Sequence, residues 1–441
     1  MASPLETTSS APAPSDEDLD SVGLGAVVLL VALVPLALGT VVWTSPGSST
    51  DPNRWVSVSP SDVASLAILA LWAASTLGRG RRTPLGRLGR PLGWAVAIAL
   101  GLEAVALAVH PSPRGFELLA RVAAAAATAD LVRRARGAGR RRALLAGIVA
   151  VGSAQALLAV VQSLTGKALA VRPFAFDGEL YQFGSSWAGR GGFGHPYHLS
   201  CLLALAIGAA VLGVHGARRP LPWCLALGLC ATGMAVTFSR AGVLGLAAVL
   251  VVAAVSGLRN RDRSGWIVLA ITVGLAVGMT GFGDGWASKS ADSVDGSSVD
   301  SGRRDRAAEA VRLIRSEPLV GVGPGRYVIA LEDVDHTELR PAHDLPLHVA
   351  AEAGLFAGVA AAVALALLAL HCLRLGARCL TVFLPMVPFL LLDAYPYTWP
   401  GGLALSGVWL GLLGSVWYRD PAERAAQAAA EPVTAPRAPV G

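Results

Sequence analysis

Apolar residues run along this chain in long unbroken blocks, not in the alternating or three-to-four spacing of water-soluble strands and helices. Blocks of about twenty largely apolar residues, the length that crosses a hydrocarbon core, recur along most of the sequence. Twelve can be marked, at 23–43, 60–78, 92–110, 115–132, 143–164, 196–214, 221–238, 241–258, 266–283, 346–372, 379–397 and 402–418. The pattern predicts an all-α polytopic membrane protein of about 12 transmembrane helices spanning 23–418. The fourth block carries Glu117, Arg121 and Asp130 and reads as a helix that buries those groups against its neighbours.

The polar remainder sorts into tails and loops. Residues 1–22 are acidic, rich in Ser and Pro, and hold no Lys or Arg, so they read as a disordered tail and not as a cleaved signal. Residues 419–441, rich in Ala and Pro, read as a second tail. Arginine clusters at 79–90 and 133–142, at Arg218–Arg219, at 259–263 and at Arg374 and Arg378 each follow an even-numbered block. The positive-inside rule then puts all of them, and both tails, in the cytoplasm. Two long loops, 165–195 and 284–345, emerge on the periplasmic side, together with a tight turn at Ser239-Arg240.

Composition agrees with the pattern. Of 441 residues, 54% are hydrophobic and only 15% charged, against about 25% charged in an ordinary soluble domain. The net charge of +6 belongs to the short loops that set orientation, so no nucleic-acid partner is expected. The five cysteines, Cys201, Cys224, Cys230, Cys372 and Cys379, are odd in number, avoid the long loops and lack metal-ligand spacing, which argues against a disulfide framework or a zinc site.

The outer side carries the candidate chemistry. Residues 284–300 are polar and read as flexible; 303–316 read as an amphipathic helix with Ala307, Ala310, Val311 and Ile314 on one face, ending before Pro318. The basic residues here are Arg172, Arg190, Arg240, Arg303, Arg304, Arg306, Arg312, Arg315, Arg326 and Arg340; orientation does not demand them, so some need another reason. Arg240, between two membrane blocks, suits phosphate recognition through the fork that lysine lacks. His343, where the large loop re-enters the membrane, is a candidate general base. Glu352 stands four residues after His348, where it can orient a histidine or satisfy a buried polar group. His195 and His198 are too few to argue for a metal. Asp333-Val334-Asp335 matches a nucleotide-sugar clamp, but that substrate is not expected outside.

Taken in order, these motifs resemble the O-antigen ligase and polymerase superfamily of bacterial envelope glycosyltransferases. The matching pieces are Arg190-Gly191-Gly192-Phe193-Gly194-His195-Pro196, Thr237-Phe238-Ser239-Arg240-Ala241-Gly242, Ser301-Gly302-Arg303 with Glu317 to Gly325, and His343-Asp344 followed by Glu352-Ala353-Gly354. The resemblance covers about 185–360. It departs from the family at Asp344, where Asn, Ser or Gln is usual, at His195-Pro196-Tyr197, where many members have Asn-Pro-Asn, and at Ala307, where an aromatic residue is common.

The resemblance implies a GT-C-like membrane fold in the bacterial inner membrane, with its active site facing the periplasm and a partly helical large loop. It implies an enzyme that moves a glycan from undecaprenyl diphosphate to an acceptor hydroxyl, on lipid A-core for a ligase or on another lipid-linked glycan for a polymerase. No metal or cofactor is implied. Arg240 and Arg303, with Arg190, would bind the donor diphosphate, His343 would be the base and Glu352 would support it. The competing reading is a lipid-linked glycan flippase or another transporter, for which Glu103 and Asp393 are the membrane-embedded candidates.

Overall fold

Backbone polar groups must be satisfied internally in a lipid environment, and the apolar blocks do so as helices. The computed structural model describes residues 16–36, 40–44, 55–77, 90–135, 137–169, 179–260, 262–294, 299–332, 341–392 and 394–417. The first half comprises α1 (Asp16–Leu33), the antiparallel hairpin β1 (Thr40–Thr44) and β2 (Trp55–Val58), α2 (Pro60–Leu77), α3 (Arg90–Val109), α4 (Pro113–Arg133) and α5 (Ala138–Thr165). A short hairpin, β3 (Gln182–Phe183) and β4 (Ser186–Trp187), precedes α6 (Pro196–Gly216), α7 (Leu221–Val236), α8 (Arg240–Asn260) and α9 (Ser264–Gly281). The large loop holds α10 (Gly283–Val294), α11 (Val299–Ser316) and α12 (Tyr327–Glu332). The chain continues through α13 (Leu345–Ala353), α14 (Leu355–Leu375), α15 (Ala377–Phe383), α16 (Val387–Leu391), α17 (Tyr395–Thr398) and α18 (Pro400–Trp417).

Among the described residues six helices, α3, α5, α6, α8, α9 and α14, are long and apolar enough to cross a membrane by length and composition. Shorter apolar helices lie at Ser21–Leu33, Leu221–Val236 and Gly401–Val416. The chain is therefore an all-α membrane protein at the level of its helices. Among them, α6 is the axis: 89% of its apolar window is buried, against 28% for α14 and 33% for α3, which present lipid-facing surface. Around α6 pack α5, α7, α15 and α18, while α4 lies along α18 and α3 along α14. All five cysteines are buried and none is in a disulfide.

Several expectations change. Helix α1 begins at Asp16, inside the segment expected to be a tail, and the apolar block 23–43 leaves the helix at Leu33 and turns into β1. The block 346–372 is two helices, because Gly354 sits at φ +90 and a Cβ there would lie 2.2 Å from the Leu319 carbonyl oxygen. The block 379–397 is three short helices, since Pro385, Pro388 and Pro396 withhold N–H groups a continuous helix needs. The segment expected to be flexible, 284–300, is helical over Gly283–Val294, where Trp286 packs 5.5 Å from the Phe238 ring. On α11, Ala310 and Ile314 of the expected face do meet the core, Leu313 joins them, and the helix ends before Pro318. Arg172, Asp333, Asp335, Arg340 and Asp393, and the tail 419–441, lie outside the described residues.

Candidate active site

A cavity of about 680 Å³ opens where the N-terminal ends of α4, α6 and α18 meet α11, α12 and α13. His343 and Glu352 line it, and so do Arg114, Arg121 and Arg306. Much of the rest of the wall is aromatic: Tyr181, Tyr395, Tyr397 and a stacked pair, His198 on Trp399, whose centroids are 4.2 Å apart at 5°.

Local sequence explains how each group is held. Asp344 is the N-cap of α13, its Oδ1 accepting from the Leu347 N–H at 2.9 Å. Asn, Ser and Asp are the best residues for that task, so the departure at this position preserves its structural job. The cap, one residue after His343, fixes the start of α13. Arg306, on α11, donates through Nη1 to His343 Nε2. That nitrogen is then the acceptor, and the tautomer in this contact carries its proton on Nδ1.

Glu352 is buried at the far end of α13. Its Oε1 accepts from the Tyr327 N–H at 3.3 Å and its Oε2 lies 3.5 Å from His348 Nε2. The Tyr327 ring stacks on His348 at 5.0 Å, and its hydroxyl donates to the Arg306 carbonyl at 3.4 Å. Burial, with Glu309 and Glu352 nearby, raises the Tyr327 phenol above its ordinary range, so it stays a donor. One polar chain thus joins His343, Arg306, Tyr327, Glu352 and His348.

The glycine motif clamps this chain. Val322 and Gly323 donate N–H groups to the carbonyls of Ala351 and Glu352, at 3.0 and 2.9 Å, and Leu355 donates to Pro318 at 2.9 Å. A Cβ on Gly321, whose φ is +64, would fall 2.4 Å from the Glu352 carbonyl carbon. The segment 317–325 and the Glu352-Ala353-Gly354 segment are therefore two halves of one contact, far apart in sequence and edge to edge in space.

The remaining predicted arginines stand behind the cavity wall. Arg303 is one turn before Arg306 on α11 and half-buried. Arg190 is buried, its Nη1 donating to the Gly194 carbonyl at 3.5 Å, and Gly194 lines the cavity. Burial lowers its guanidinium below the usual value. Arg240 starts α8 and donates through Nη2 to the Lys289 carbonyl at 2.5 Å, while Lys289 Nζ donates to the Phe238 carbonyl at 2.5 Å and lies 3.4 Å from the Tyr197 hydroxyl. Phe238 holds φ +52, unusual for a bulky residue. Ser239 Oγ accepts from the Gly242 N–H at 3.1 Å and caps α8.

His195 caps α6, its Nδ1 accepting from the Tyr197 N–H at 3.2 Å, and His198 stacks on Trp399, so both histidines have roles without a metal. Among the described residues no group of three or more His, Cys, Asp or Glu side chains could hold an ion. Glu103 is buried and accepts from the Tyr397 hydroxyl at 3.0 Å.

Sequence reasoning did not single out Arg306, Arg114 or Lys289. Arg306 is three residues after Arg303, a spacing that puts both on one helical face, and that was the available signal. Arg121 is already neutralised, its Nε donating to Asp62 at 2.8 Å and its Nη2 meeting Glu117 at 2.6 Å. No curated protein matches the chain. Residues 225–362, from α7 into α14, match the family model described as O-antigen ligase; this segment carries Arg240, Arg303, His343 and Glu352, and the match bears out the resemblance to the O-antigen ligase superfamily.

Proposed function

We propose that the protein transfers a glycan from a polyprenyl diphosphate, undecaprenyl diphosphate in bacteria, to an acceptor hydroxyl in the cavity, facing the periplasm of the inner membrane with both termini cytoplasmic. The observation that carries the reading is His343 at the cavity wall with Arg306 on its Nε2. A polysaccharide ligase or polymerase needs two things at one place: a base for a weakly acidic hydroxyl and a fixed positive charge for a leaving diphosphate. His343 and Arg306 supply them side by side.

In this mechanism the diphosphate draws Arg306 toward its oxygens, and the lone pair of His343 Nε2 becomes available to the acceptor. The acceptor oxygen forms a bond to the anomeric carbon as the bond from that carbon to the phosphate oxygen breaks. The hydroxyl proton goes to His343 Nε2 and the electron pair leaves with the diphosphate. A single displacement of this kind inverts the anomeric centre. Glu352 supports the site through Tyr327 and His348. Arg303, Arg240 and Arg190, behind the wall, add long-range positive charge that favours an anionic donor. The aromatic wall covers the apolar faces of sugar rings, in keeping with sites that combine aromatic surface and a few placed polar groups.

The test is the envelope glycan of a deletion strain complemented with wild type or His343→Ala at matched expression. Loss of transfer with His343→Ala is expected. Single repeat units on lipid A-core would mark a polymerase, and long polymer stranded on the lipid carrier a ligase. Normal glycan with His343→Ala would overturn the proposal.

A further inference from the structure

A second cavity, of about 590 Å³, lies at the opposite end of the helix bundle. The active-site cavity is lined by the N-terminal ends of α4, α6 and α18; this one is lined by the C-terminal ends of the same three helices, at Arg133, at Leu212 to Gly216 and at Ser415. With α6 running 21 residues, about 30 Å separates the two, the thickness of a hydrocarbon core.

Its lining is strongly one-sided in charge. Arg133, Arg141, Arg142, Arg218 and Arg378 surround it with His215, and no carboxylate is among the described residues that line it. Asp130 binds Arg133, and Arg141 and Arg378 also have partners of their own. Arg141 is half-buried, and Arg142, Arg218 and Arg378 are exposed. They come from α5, the α6–α7 turn and α15, segments distant in sequence. Orientation in the membrane requires arginines at this end, but it does not require three separate segments to turn them onto one hollow. The floor is apolar, made by Leu145, Leu212 and Trp223, all buried. A tryptophan beside arginines at a helix end is the composition of a membrane interface, and a hollow with a cationic rim and an apolar floor fits a phosphate group attached to an acyl chain.

We propose that this hollow binds a phosphate-bearing anion, with Arg142 and Arg218 as the cations at its rim. The site is independent of the transfer chemistry at the other end. Two sources share the chemistry: the headgroup phosphate of an anionic lipid, whose chain would lie on Leu145 and Trp223, and a soluble phosphate.

The experiment uses the purified full-length chain in neutral detergent, with thermal unfolding read against added dioctanoyl phosphatidylglycerol, dioctanoyl phosphatidylcholine or inorganic phosphate. Two variants probe the site differently. R142Q/R218Q removes charge. Gly139→Phe keeps every arginine and adds bulk at the hollow: Gly139 lines it, and a Cβ there meets nothing within 4 Å. Arg259→Gln, at the end of α8 on the same side but outside the lining, is the control.

The expected result is stabilisation of wild type by phosphatidylglycerol and not by phosphatidylcholine, with apparent affinity about tenfold weaker in both variants and unchanged in the control. Stabilisation by inorganic phosphate that equals that of the lipid, with the same dependence on the variants, would identify the soluble source at the same site. No stabilisation of wild type by either anion, an unaltered Gly139→Phe, or equal weakening in Arg259→Gln would overturn the proposal.

Discussion

The His343 wall and the Arg240 turn are both basic, both follow from motifs of the same superfamily, and both lie near one cavity, yet their cations are employed differently. At the wall, Arg306 reaches the imidazole of His343 inside the cavity. At the turn, Arg240 is bound to the Lys289 carbonyl, Lys289 to the Phe238 carbonyl, and the ring of Tyr197 stands between them and His195 at the cavity edge. A guanidinium spent on protein carbonyls holds a turn in place. One that faces a polar cavity and touches a titratable ring is placed to exchange that partner for a ligand.

Substitutions can break this contrast. Arg306→Ala should lower the transfer rate by about 10²–10³, the range for removal of a charge-stabilising donor, with little change in thermal unfolding. Arg306→Lys should recover only part of the rate, because lysine keeps the charge and loses the fork. Measured turnover on a lipid-linked donor, beside a melting curve, checks both. If Arg306→Ala retained wild-type turnover, the wall would not be the donor's contact.

The turn should respond in the other way. Lys289→Met leaves the Phe238 carbonyl without its partner in a buried place, which costs about 1–3 kcal/mol. The expected readout is a lowered melting temperature, and activity that falls with the folded fraction. Arg240→Ala should follow the same pattern more weakly. A hundredfold loss of turnover in Arg240→Ala at unaltered stability would move the donor diphosphate to the turn and reverse the comparison.

Much of this was legible in the sequence, and the reasons for the rest are physical. Helices exist because apolar length demands them, so α3, α5, α6, α8, α9 and α14 follow from block length. Hydropathy cannot tell α6 from α14: both are apolar throughout, and only packing makes one an axis and the other a lipid-facing surface. The breaks at Gly354 and through Pro385, Pro388 and Pro396 are written as Gly and Pro, but a block average hides them. His343 and Glu352 could be picked out because charge at a membrane boundary needs a reason. Arg306 stood out less than Arg303 because a motif marks a segment, while the face that a helix turns toward a cavity is set by Ala310 and Leu313 packing beneath it.

A further substitution tests the clamp that serves the wall alone. Gly354→Ala forces a side chain into φ +90 and into the Leu319 carbonyl, at a cost on the order of 1–3 kcal/mol. It should lower the melting temperature and also displace Glu352, which the same backbone contact holds. Turnover per folded molecule should therefore fall as well, which separates it from Lys289→Met, where turnover per folded molecule should hold.

The smallest expected effect concerns Asp344. If this residue acts on the substrate, removing its charge should change turnover; if it only caps α13, the oxygen matters and the charge does not. Asp344→Asn keeps an oxygen within reach of the Leu347 N–H, now 2.9 Å from Oδ1, and should leave turnover within about twofold and stability within a few tenths of a kcal/mol. Asp344→Ala removes the cap and should cost about 1 kcal/mol, with a modest loss of turnover as the start of α13, and His343 beside it, loosens. A large loss of turnover in Asp344→Asn would instead place that carboxylate in the chemistry, as a partner of His343, and the wall would then hold two titratable groups acting together instead of one base beside one arginine.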